Sequence, residues 1–103
     1  MKSVQPVRTC EPEAVAAVLR QERLGVRQCY RSALVVGQAP EGRLSLGLHI
    51  DPQGRARTVN VQEDTIGLPR FSDCLTNLAR GLEYPKPTGQ PCVVIYPFQF
   101  SPN

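Results

Sequence analysis

The chain has 103 residues, 41% of them apolar, and 12 basic against 9 acidic residues for a net charge of +3. That size and composition define one small domain with a modest core and exclude a generally disordered chain. No apolar stretch approaches the roughly 18 residues that span a bilayer, and the opening MKSVQPVRTC lacks the continuous apolar segment of a secretory signal.

Residues 1–11 read as an N-terminal extension and 12–103 as a single domain. The first element starts at Pro12, a residue that the first helical turn tolerates. From there Val15, Val18, Leu19, Val26, Cys29, Tyr30, Ala33 and Leu34 recur at helical spacing, which predicts one long amphipathic helix with Gly25 as the place for a break or kink. Arg20, Arg23, Arg27 and Arg31 share that spacing and would form a basic ridge. Without interleaved aromatics or a reader motif, the ridge reads as a solvated helix face, and no nucleic-acid partner is assigned. GQAPEG then ends the helix with turn residues.

In RLSLGLHID, the leucines at 44, 46 and 48 and Ile50 alternate with Ser45, Gly47 and His49, the pattern of a strand with one buried face. DPQG forms a tight turn. RARTVNVQ returns as a second strand, with Val59 and Val61 on one face and Thr58, Asn60 and Gln62 on the other, so the pair is a β-hairpin. Past Pro69, the residues Phe71, Cys74, Leu75, Leu78 and Leu82 make an apolar stripe at helical spacing, and EYPKPTGQP stops that helix.

The last strand is CVVIYPFQF. Pro97 carries no N–H for a sheet ladder, so this strand belongs on an edge. It can lie antiparallel beside the first strand or parallel beside the second; the first is preferred because antiparallel pairs tolerate one wet face. The fold class is therefore α+β, in the order α-β-β-α-β, with two helices packed on one face of a small three-stranded, mainly antiparallel sheet.

Four cysteines in so short a chain are a dense and even set, and none forms a C-x-x-C knuckle. Two disulfides in an oxidising compartment are expected, against four buried thiols packing as small hydrophobes. Cys29 and Cys74 lie on the inward stripes of two helices that must pack side by side, which makes a bridge between them natural. Cys10 and Cys92 are then left to pair. The constellations that enzymes need are nearly absent from the sequence. His49 is a lone histidine on a polar strand face, Glu63 and Asp64 sit in a loop, and Glu11 and Glu13 favour a helix N-terminus. No catalytic residue, metal or cofactor is assigned.

Four segments, VRQCYRSAL, GRLSLGLHIDPQGRARTVNV, FSDCLTNLARGLEYPKPTG and VVIYPFQF, together resemble the TonB-like C-terminal domain of AgmX/PglI type, found in envelope and gliding-motility proteins of myxobacteria and their relatives. The resemblance spans residues 20–100. It rests on Cys29-Tyr30, the hairpin around Gly54, Cys74, the exit Tyr84-Pro85-Lys86-Pro87 and the final YPF-x-F. It implies a periplasmic, non-enzymatic module whose partner is another envelope protein or an outer-membrane receptor segment, with membrane contact only through a parent chain or that partner. It also implies that the helix cysteines pair, and that a partner segment adds as a strand beside the last strand, at Val93, Val94, Ile95, Tyr96 and Pro97. Cys10 and Cys92 are additions to the family's pattern. Two other functions are compatible with the same residues: a homodimer formed through the last strand's edge, and a disulfide-exchanging thiol redox protein.

Overall fold

The computed structural model describes residues 11–33, 41–89 and 91–101. Its elements in chain order are α1 (Pro12–Gln21), α2 (Arg23–Ala33), β1 (Gly42–Ile50), β2 (Ala56–Asp64), α3 (Pro69–Gly81) and β3 (Val93–Phe100). The strands form one antiparallel sheet in the order β2-β1-β3. The α+β class and the preferred place for the last strand, beside β1, are both as expected. The expected bridge between Cys10 and Cys92 and the GQAPEG turn fall wholly or partly outside the described residues, as does nearly all of the N-terminal extension.

The first helix differs from expectation. It is two helices, divided at Glu22 and not at Gly25. Glu22 leaves helical geometry (φ −92°, ψ 35°); its N–H donates back to the Leu19 carbonyl at 3.1 Å, while its own carbonyl accepts the Val26 N–H at 3.0 Å. One residue therefore closes α1 and opens α2. The division lets each short helix bury its own face, Val15 and Leu19 from α1 beside β3, and Cys29 and Ala33 from α2 beside α3. Gly25 has a different use. A Cβ there would come within 3.2 Å of both methyl carbons of Leu78, so the missing side chain lets α2 approach α3 closely.

Beneath the helices, Leu44, Leu46, Leu48 and Ile50 of the central strand have no solvent exposure. Each contributes roughly 2 kcal/mol by burial. Phe71, Leu75 and Ala79 of α3 close over them. Tyr30, Phe71, Phe100, Phe98 and Tyr96 follow in an unbroken series of ring contacts, with centroids 4.8 to 6.2 Å apart. The series ties the end of β3 to α2 and α3. On the returning strand Val59 is buried, whereas Val61 remains 42% exposed on the outer strand of the sheet.

The DPQG turn is held by its first residue. Gly54 N–H donates to the Asp51 carbonyl at 2.9 Å, and the Asp51 carboxylate accepts from the backbone N–H groups of Gln53 and Arg55 at 2.9 and 3.0 Å. Those backbone bonds, led by that of Arg55, hold the Asp51 carboxyl below its ordinary value of 3.8, and Arg57 at 3.3 Å adds to the effect. The sign follows from linkage: a lowered folded value contributes stability above 3.8 that is lost as pH falls through the folded value. Unfolding titrations across pH about 2 to 5 should therefore show an acid-side loss that is smaller in Asp51→Asn, which keeps a side-chain acceptor but cannot ionise. An identical acid limb in the variant rules out this carboxylate as a contributor.

Candidate functional site

The edge of β3 is set by the way β1 and β3 pair. Ile50 N–H donates to the Cys92 carbonyl at 2.9 Å, which makes the position next to the ladder a hydrogen-bonded pair. Such pairs alternate along an antiparallel ladder. Leu48 with Val94, Leu46 with Tyr96 and Leu44 with Phe98 therefore bond across the sheet, whereas His49 with Val93, Gly47 with Ile95 and Ser45 with Pro97 do not. It follows that the N–H groups of Val93, Ile95 and Gln99 point out from the open edge. Pro97 stands between them in the same row, where its missing donor takes nothing from the ladder to β1.

The five residues named from the sequence for partner binding, Val93, Val94, Ile95, Tyr96 and Pro97, thus divide by parity. The odd ones present their backbone to the open edge and their side chains to the face opposite the helices, where Val93 and Ile95 are each 60% exposed. The even ones bond to β1; Val94 is buried and Tyr96 half-buried under the helices. Beside Val93 and Ile95, a shallow hollow of about 220 Å³ lies over Gly47, walled by His49, Thr58 and Asn60. His49 is half-buried there.

On the helix side of the same strand lies a groove that no sequence pattern announces. It measures about 220 Å³ and is lined by Leu19, Arg20, Arg23, Val26, Tyr96 and Phe98. The break at Glu22 makes it, by turning the end of α1 and the start of α2 over β3. Tyr96 and Phe98 meet edge to face within it, their centroids 4.9 Å apart. Arg20 is held by Glu13 at 2.6 Å, and its pKa is raised chiefly through that hydrogen bond. Arg23 makes no ion pair among the described residues. The spacing of the arginines makes the basic ridge visible in the sequence, but not the break that carries two of its members to the mouth of an aromatic groove.

Cys29 and Cys74 form a disulfide between α2 and α3, with Cα atoms 5.6 Å apart, as expected. Cys92 is buried just before β3. Among the described residues no three His, Cys, Asp or Glu side chains converge as a metal site would require, no buried side-chain polar atom lacks a hydrogen bond, and no helix is long and apolar enough to cross a membrane.

The class that these features define is a small α+β domain with one helix-covered sheet face, one bare face and, among the described residues, an open, proline-interrupted edge at β3. Comparison with known proteins finds no matching family model, no matching curated protein and no matching solved structure.

Proposed function

We propose that the chain is a non-enzymatic, periplasmic coupling module of an envelope-spanning system, of TonB-like or gliding-motility type. It binds a segment of another envelope protein, which adds to the sheet beside β3. The observation that carries this reading is the open edge at Val93 and Ile95: two successive outward N–H groups flanked by exposed apolar side chains, ending at a proline. The resemblance of the four sequence segments supplies the periplasmic setting and the class of partner.

Strand addition uses main-chain hydrogen bonds for affinity and side-chain pockets for choice. Each such bond adds only about 0.5 to 1.5 kcal/mol net, and association itself costs several kcal/mol. So short an edge binds weakly by backbone alone. Pro97 fits that design, because it keeps the template too short for adventitious pairing with other edges.

Two substitutions test the reading. Ile95→Pro removes an outward donor at a position equivalent to that of Pro97, so it should abolish segment binding while leaving the ladder to β1 and the folded spectrum intact. Pro97→Val restores a donor and extends the edge through Gln99, so sedimentation should show greater self-association than in the parent chain. Undiminished capture of partner segments by the folded Ile95→Pro variant contradicts strand addition. A parent chain that already sediments as a dimer, and turns monomeric with Ile95→Pro, assigns the edge to a second copy instead.

A further inference from the structure

Resting on the strand-addition reading, we infer that the segment this edge takes is acidic at its centre, with the local pattern apolar, glutamate, apolar. Neighbouring strands lie about 4.8 Å apart, and successive side chains alternate between faces. An added strand therefore sends one side chain to the helix side, beside Tyr96, between two that go to the bare side.

The two bare-side residues lie along Ile95, 60% exposed, and Pro97, also exposed, and apolar side chains cover them. The helix-side residue enters the groove between the α1–α2 break and the strand. That groove has an aromatic floor, Tyr96 against Phe98, and apolar walls at Leu19 and Val26, with guanidinium groups only at Arg20 and Arg23. It fits a side chain with an aliphatic stem and an anionic end. Glutamate meets both requirements, and aspartate is too short to reach past the rings.

The two arginines are not equivalent. Arg20 already serves Glu13 at 2.6 Å, and both groups are largely exposed. Among the described residues Arg23 is the cation of the groove that makes no ion pair, and it is the recognition residue of the site. The pattern reads the same in both chain directions, so it holds whether the segment adds parallel or antiparallel to β3.

The test titrates the full chain with three blocked peptides that differ only at the centre, Val-Glu-Val, Val-Gln-Val and Val-Lys-Val, while amide shifts are followed by NMR. All three should move the Ile95 amide, with the glutamate peptide about fivefold tighter than the glutamine one, the size of a good exposed ion pair. The lysine peptide should be weakest. In Arg23→Gln the glutamate advantage should vanish, and in the parent chain it should shrink at high salt. Equal binding of the glutamate and glutamine peptides at the edge overturns the acidic pattern and leaves strand addition standing. A glutamate preference unchanged in Arg23→Gln overturns the assignment to Arg23. No shift at Ile95 with any peptide overturns strand addition itself, and this inference with it.

Discussion

Replacing Cys29 and Cys74 together by alanine should lower the unfolding free energy by about 4 kcal/mol in the chain-entropy account, for a bridge between residues 45 apart in sequence. Small domains have only about 5 to 15 kcal/mol in total, so the loss is about a quarter or more of what holds the fold. The bridge is the one covalent tie between α2 and α3, and α2 touches the end of β3 through Tyr30 and Phe100. Loosening it should therefore also expose the aromatic series at the base of the edge strand. Paired urea titrations of the parent and the double variant measure the change, and a difference below about 1 kcal/mol contradicts a structural role. The same bridge bears on the thiol-redox alternative. Cys29 is only 3% exposed and Cys74 half-buried, and a structural disulfide so placed should resist mild reduction in the folded protein.

Gly54→Ala should cost about 2 to 4 kcal/mol, through left-handed strain and a broken backbone bond. Gly54 has φ +85°, and a Cβ there would lie 2.3 Å from the Tyr84 carbonyl oxygen. The turn touches backbone at that point because Tyr84 N–H donates to the Gly54 carbonyl at 2.8 Å, beside an antiparallel bridge between Arg55 and Glu83. Tyr84 cannot move freely to make room. Its ring is buried, its hydroxyl donates to the Ala79 carbonyl near the end of α3 at 2.7 Å, and burial raises its phenol pKa. Damage at the hairpin tip should thus reach the end of α3 and the segment that leads into β3. Gly67→Ala is the matched comparison, since Gly67 also has positive φ, at +78°, but nothing lies within 4 Å of its would-be Cβ. It should lose only the backbone strain, about 1 kcal/mol. Equal losses in the two variants rule out the contact with Tyr84 as the reason for glycine at 54.

Elements whose identity depends on neighbours in sequence are legible from the residues alone. Leu44, Leu46, Leu48 and Ile50 alternate because a strand turns successive side chains to opposite faces, and the stripe of Phe71, Leu75 and Leu78 repeats because a helix turns every 3.6 residues. Pro97 marks an edge strand because its chemistry forbids an inner one. Gly25 misleads for a related reason. Glycine signals either a break or a close approach, and only Leu78, 53 positions further along the chain, decides which. Glu22, where the break does fall, is an ordinary helix former with no local mark of its own.

The hairpin, the α3 stripe, the α+β class and the parity of the last strand are written in the order of residues, since each follows from short-range periodicity or from one residue's covalent chemistry, and the pairing of the helix cysteines follows once their two stripes must pack side by side. Two further features arise only on folding: the first helix divides at Glu22, and Arg23 stands over Tyr96 and Phe98. The second depends on contacts between distant segments, Arg23 and Tyr96 being 73 positions apart. Such contacts form only when the core closes, and no local pattern encodes which side chains then meet.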